Sequence, residues 1–225
     1  MIGIICAMDL EVEAMYSHME NCEEKQYHGM TIQEGIIANH PVAVIKSGVG
    51  KVNAAMATTL LLCAYDCECV INVGVAGGLL EKKNVNDIVI ARNVIQHDFD
   101  TSPIDGEKGL GLSYSCSEPL AQKLKHCAEA EGLHCWIGDI ASGDVFVTTN
   151  HHYERIRKQF PSCVCSEMEA GAIAQVCANT QVDCLIIRTL SDVAAKEDNP
   201  IDFLTFVKDA AKRAGDICTK LLEMR

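Results

Sequence analysis

Three stretches of this chain, Ile2–Ala7, Cys69–Val75 and Cys184–Leu190, are apolar at almost every position and only six or seven residues long. A strand with one wet face alternates apolar and polar residues, whereas a strand covered on both faces reads as a short continuous apolar run. Such strands need helices on both sides of their sheet, and the sequence between them supplies candidates. Asp9, a plausible N-cap, opens a helix to about Met19, and Lys51–Tyr65, Glu118–Glu131, His151–Phe160, Glu169–Ala178 and Pro200–Leu222 also read as helices. Gly132 and Pro161 stop two of them. Met30–Ile37 and Pro41–Ser47 read as strands paired around Asn39-His40, with further strands at Asp87–Ala91, His134–Ala141 and Cys163–Cys165. No linker, repeat or low-complexity tract divides the 225 residues. The expected fold is a single α/β domain over residues 1–225, with a central mixed sheet flanked by helices. Phe99–Ser117, rich in Gly, Ser, Asp and Pro, is expected to be its one long irregular stretch.

Thirty-one acidic against nineteen basic side chains give a net charge of −12. That field repels a nucleic-acid or anionic membrane partner, and a small-molecule ligand fits better. The 13 cysteines are scattered without any C-x-x-C pair. Many sit in apolar runs, as Cys177 does, and read as small core residues of a cytoplasmic protein. The apolar run from Ile2 to Met8 has no basic leader and meets Asp9 and Glu11 at once, so neither a signal peptide nor a membrane span is expected there. His97-Asp98-Phe99-Asp100 has the flavour of a metal site but lacks an evident third ligand, His151-His152 being far off in sequence. A loop histidine satisfied by its neighbours fits His97 better than a metal ligand.

In a sheet of this kind the ligand site lies beyond the carboxyl ends of the strands, so the residues immediately after each strand matter most. Glu11 falls in the first turn after strand one, where backbone N–H groups favour a carboxylate. It fits a solvated helix-start acid or a base at the sheet's mouth. Ser47-Gly48-Val49-Gly50-Lys51 lacks the hydroxyl of a phosphate-binding P-loop, since Val52 comes after the lysine. It fits a plain turn or a close approach to a ligand. Val73-Gly74-Val75-Ala76-Gly77-Gly78 has the wrong glycine spacing for a dinucleotide fingerprint. Its glycines fit either a chain reversal or backbone pressed against a ring or sugar. Arg188 stands in an otherwise apolar strand, where a guanidinium costs several kcal/mol unless paired. A carboxylate or an anionic ligand is expected beside it, unless the strand has already reached solvent. Ser191-Asp192 comes next, fitting a turn cap or an acid at a strand end. Glu167 and Glu169 lie two apart at a helix start, so at most one is expected to point inward. Separated acids around one pocket suit glycosidic chemistry, one protonating the leaving group and another activating water.

Ile4-Ile5-Cys6-Ala7-Met8 with Glu11, Lys46 to Lys51, Asn72 to Gly78, Ser142-Gly143-Asp144 with Phe146, Glu167-Met168-Glu169-Ala170, and Arg188 with Ser191-Asp192 occur in a telling order. The chain resembles the 5′-methylthioadenosine/S-adenosylhomocysteine nucleosidases from its first strand almost to its closing helix. The resemblance implies a nucleoside phosphorylase-like fold, a homodimer working without metal or organic cofactor, and a role in methionine salvage. It also implies hydrolysis of 5′-methylthioadenosine and S-adenosylhomocysteine, with 5′-deoxyadenosine a further candidate. By that resemblance Asp192 is the acid for adenine N7, oriented by Ser191. Glu11 is the base for water, helped by Arg188, while Glu169 and the Met168 backbone hold the ribose. Phe146 stacks on the base and the Val147 backbone reads its edge. Met8 and Val49 line the sugar and 5′ side, with Val75, Ala76 and Gly77 in the adjoining strand end. Val75 replaces a serine common in the family, and Ile104 and Gly106 replace aromatics that often reach the partner's 5′ pocket. The competing expectations are a phosphorylase of the same fold, a futalosine-type nucleosidase and a non-catalytic nucleoside-binding module.

Overall fold

A computed structural model of the chain describes residues 1–80, 84–193 and 200–224, with the backbone alone at 193 and 200–205. The three apolar runs form the centre of a ten-stranded sheet. β1 (Ile2–Cys6) lies between β4 (His40–Lys46) and β5 (Cys69–Gly78), parallel to both. β10 (Asp183–Val193) runs parallel to β5 on that strand's other side. β3 (Met30–Ile37) and β2 (Glu20–Tyr27) extend one flank as antiparallel strands. At the other flank the sheet closes on itself. β10 pairs with β6 (Ile88–Asp100), β6 with β8 (Cys135–Ser142), β8 with β9 (Cys163–Glu167), and β9 returns to β5 through Gly77 and Gly78.

Helices cover both faces, as the apolar runs demand. Helices α1 (Asp9–Tyr16), α4 (Glu118–Ala130) and α7 (Pro200–Glu223) bury Val12, Met15, Leu124 and Ile217 against Ile2, Ile4 and Leu185. On the opposite face, α2 (Lys51–Ala64) and α6 (Ala170–Thr180) bury Ala57, Leu61, Ile173 and Cys177 against Ile5, Ile45 and Ile186. Alternate residues of one strand thus feed two separate cores. A third cluster seats α5 (Asn150–Gln159) through Ile156 on Leu79 and Ala141. All thirteen cysteines are thiols, and Cys6, Cys165, Cys177 and Cys218 are wholly buried core residues.

Three expectations need correction. Phe99–Ser117 is not one irregular stretch, because it contains the short helix α3 (Ser102–Asp105), a 3-10 turn at Gly106–Gly109 and strand β7 (Leu110–Ser115). β7 pairs with the outer half of β6, which runs well beyond the expected Ala91. The residue capping α1 is Met8, not Asp9, and its N–H is bonded by the Glu11 carboxylate. Among the described residues, no helix is long and apolar enough to cross a membrane.

Candidate active site

The carboxyl ends of β1, β4, β5, β8, β9 and β10 meet around a cavity of about 220 Å³. Met8 and Glu11 come from beyond β1, Val49 from beyond β4, and Phe146 and Val147 from beyond β8. Met168 and Glu169 lie just past β9, while Val75, Ala76 and Gly77 end β5 and Ser191 and Asp192 end β10. All of these are residues the sequence points to. Arg188 alone of the expected set lies beneath the cavity floor and is 1% exposed.

Glu11 is 3% exposed and held by three backbone amides. Its Oε2 accepts from Ala7 and Met8 at 2.8 and 3.0 Å, and its Oε1 from Val75 at 3.1 Å. Burial nevertheless pushes its carboxyl above the ordinary range, outweighing Arg188 and those amides, which pull the other way. The amides at the helix start are present as expected, yet desolvation decides the sign.

The glycines of β5 belong to a continuous strand, so close approach, not chain reversal, explains them. A Cβ on Gly74 would stand 2.7 Å from Glu11 Oε1 and 3.4 Å from Arg188 Nη1. A Cβ on Gly77 would stand 3.3 Å from Asp192 Oδ2. Three residues of strand separate these two positions, roughly 10 Å. A bulge in β10 between Leu190 and Asp192 sets Asp192 opposite Gly77, and the Ser191 hydroxyl donates to Asp192 Oδ1 at 2.9 Å.

Arg188 finds the carboxylate its burial demands, and it is Glu167. The guanidinium Nη2 meets Glu167 Oε2 at 2.5 Å and Asn72 Oδ1 at 2.5 Å, and Nη1 donates to the Ile187 carbonyl at 2.9 Å. Glu167 Oε2 also accepts from the backbone of Glu169 and Ala170, at 3.1 and 2.8 Å. The expectation that at most one of Glu167 and Glu169 faces inward is therefore wrong. Glu167 ends a strand and Glu169 caps the next helix, so helix-face geometry does not apply, and both are buried. The sequence leaves open which of the two acids faces inward and assigns Glu167 no role; a buried arginine in search of a partner is the one signal for it.

Glu169 accepts from the Gly50 amide at 3.0 Å. Its carboxyl is pushed up to about 7, first by burial and then by the charge of Glu167. A carboxyl that titrates higher folded than unfolded favours the fold below pH 4.5, and that contribution is lost as pH rises through 7. Glu169→Gln keeps the acceptor for Gly50 and removes the charge. The variant is expected to be about 2 kcal/mol more stable than wild type at pH 8, with a flatter stability profile between pH 5 and 8. Urea unfolding at both pH values checks this, and equal stability at pH 8 would contradict it.

Among the described residues no group of three or more His, Cys, Asp or Glu is placed to hold a metal ion. His97 is instead enclosed by the Gly143 turn.

Residues 1–223 match the sequence profile of the phosphorylase superfamily. The 5′-methylthioadenosine/S-adenosylhomocysteine nucleosidase of Geobacillus kaustophilus is 40% identical over 227 residues, spanning 99% of this chain and 96% of the relative. The chain belongs to this nucleosidase family of the phosphorylase superfamily. The crystal structure of the Neisseria meningitidis nucleosidase bound to methylthio-immucillin-A superposes with a TM-score of 0.94 at 34% identity, covering 100% of this chain and 99% of that one. A futalosine hydrolase of Helicobacter pylori superposes with a TM-score of 0.93 at 29% identity, covering 100% and 97%.

Proposed function

We propose that this protein hydrolyses the N-glycosidic bond of 5′-methylthioadenosine and S-adenosylhomocysteine, releasing adenine and the 5′-substituted ribose. The observation that carries this reading is the placing of two carboxylates, Glu11 and Asp192, at separate stations of one cavity, with the buried Glu169 beside it. Adenine leaves poorly as an anion, so its N7 must gain a proton as the bond to C1′ stretches. Asp192, steadied by Ser191, is the donor. The sugar becomes oxocarbenium-like, and Glu11 removes a proton from the water that attacks C1′. Glu169 and the Met168 backbone hold the ribose hydroxyls, and Glu169, once ionised as pH rises through about 7, also favours the cationic sugar. Phe146 stacks on the base, the Val147 backbone reads its edge, and Met8, Val49 and Val75 give the sugar and 5′ substituent an apolar wall. Arg188, tied to Glu167 and Asn72, supports Glu11 from below.

A phosphorylase would need convergent cations for phosphate. Among the described residues no lysine or arginine lines the cavity, and Arg188 is committed to Glu167, which favours water as the nucleophile. The pure protein is expected to release adenine from 5′-methylthioadenosine in phosphate-free buffer, with no acceleration on adding phosphate. Release only with phosphate would make it a phosphorylase. A panel including S-adenosylhomocysteine, 5′-deoxyadenosine and futalosine would rank the 5′ substituents.

The working unit proposed is a homodimer in the cytoplasm. Val52 and Met56, four residues apart on α2, expose an apolar stripe next to the cavity residue Val49, and Ile104 is exposed on α3. The thirteen thiols support a reducing compartment.

A further inference from the structure

Two of the cavity's walls come from loops far apart in sequence, and Lys51 joins them. The turn after β4 brings Val49 to the sugar side and offers the Gly50 amide to Glu169. The loop after β8 brings Val145, Phe146 and Val147 to the base side. Between them, the Lys51 amide donates to Asp144 Oδ1 at 2.7 Å. The Lys51 ammonium donates to Asp98 Oδ1 at 2.6 Å and to Gln96 Oε1 at 3.3 Å. The other Asp98 oxygen, Oδ2, accepts from the Asp144 amide at 2.9 Å. These bonds close a ring through Lys51, Asp98 and Asp144.

This ring sits on a built foundation. Lys51 and Asp98 are mostly buried, with side-chain exposures of 18% and 21%, so the pair is less screened than a surface bridge. Burial alone would raise the Asp98 carboxyl, yet the bonds from Lys51 and the Asp144 amide hold it below its ordinary range. Gln96 continues the chain by donating to the Gly171 carbonyl and to Gln175 on α6, the helix capped by Glu169. The loop is also pressed onto β6 directly. A Cβ at Gly143 would lie 2.5 Å from His97 Nε2 and 3.0 Å from Asp98 Cγ, so only glycine fits there.

We propose that Lys51 is a positioning residue that locks the sugar-side turn to the base-side loop at a fixed separation, so that ribose and adenine are held together. This rests on the nucleosidase reading of the cavity. The base wall and the sugar wall each bind their half of a nucleoside, but the reaction needs both halves in register with Glu11 and Asp192. A misplacement on the order of 1 Å can cost about a hundredfold in rate. Losing the lock should therefore damage binding and turnover of the joined nucleoside more than binding of adenine alone.

The test compares wild type, Lys51→Met, Lys51→Arg, Asp98→Asn and the Lys51→Met/Asp98→Asn double variant. It reads kcat/KM for 5′-methylthioadenosine, the inhibition constant of free adenine, and the melting temperature. Lys51→Met is expected to lower kcat/KM about thirtyfold while adenine inhibition stays within twofold and the melting temperature within a few degrees. Lys51→Arg should recover at least part of the loss. The double variant should be little worse than either single one, because both break one linkage. A kcat/KM within threefold of wild type in Lys51→Met overturns the proposal. So does an equal loss of adenine binding, which would make Lys51 a support for the whole fold. If wild type itself releases no adenine from any nucleoside, the nucleosidase reading fails, an outcome distinct from a silent Lys51 variant of an active enzyme.

Discussion

Asp192→Asn should cut adenine release from 5′-methylthioadenosine by at least a thousandfold while leaving the fold intact. The replacement has the same shape, and its carbonyl oxygen can still accept from the Ser191 hydroxyl that meets Asp192 Oδ1 at 2.9 Å. Gly77 leaves space for either side chain. What the variant lacks is a proton to give. General acid catalysis contributes roughly 10² to 10⁴ in rate, and departure of an unprotonated adenine anion puts this case toward the upper end. A thousandfold corresponds to about 4 kcal/mol of lost transition-state stabilisation. The role, beyond the magnitude, is checked with a 5′-methylthioriboside of 4-nitrophenol, whose phenolate leaves without help. The variant should hydrolyse that substrate at close to the wild-type rate. A loss equal to that on 5′-methylthioadenosine would mean that Asp192 serves the sugar or the water and not the base. A variant with wild-type adenine release would remove Asp192 from the mechanism altogether.

The parts of this molecule that are legible in its sequence are those where burial writes itself into composition. β1, β5 and β10 are apolar because both faces are covered, and their reading as strands needs nothing else. β2 is illegible because Glu20–Tyr27 is polar on both faces, and only its register against β3 holds it extended. β7 and the outer half of β6 escape for a related reason, since Arg92, Asn93 and Gln96 interrupt the apolar pattern although Val94, Gln96 and His97 of β6 are buried. Closure of the sheet cannot be read either, because β9 rejoins β5 through only the Gly77 and Gly78 pairings. At the site, the strand-end rule locates Glu11, Glu169, Ser191 and Asp192. The resemblance to a known family, not any periodicity, supplies Phe146 and Val147. The role of Glu167 escapes because two glutamates flanking one methionine look like a helix start, when a strand ends at the first of them. The Lys51, Asp98 and Asp144 ring joins three segments whose proximity exists only in the fold.

Glu11→Gln should show the complementary pattern, with turnover down at least a thousandfold on both 5′-methylthioadenosine and the nitrophenyl substrate. Attack by water needs a base whichever group leaves, so a better leaving group cannot rescue this variant. Binding should survive, with the dissociation constant for 5′-methylthioadenosine within about fivefold by direct titration, because the apolar wall, Glu169 and the Phe146 loop are untouched. The substitution is also tolerable for the fold. A glutamine oxygen can keep the bonds from Ala7 and Met8, now accepted by Glu11 Oε2, although its amide then faces the Val75 N–H that Oε1 accepts. The lost bond costs on the order of 1 kcal/mol. Removing a carboxylate that burial already disfavours offsets part of that cost. Full activity on either substrate would take the water-activating role away from Glu11. Activity lost on 5′-methylthioadenosine but kept on the nitrophenyl riboside would exchange the roles of Glu11 and Asp192. The two variants read together therefore assign acid and base independently of the family resemblance.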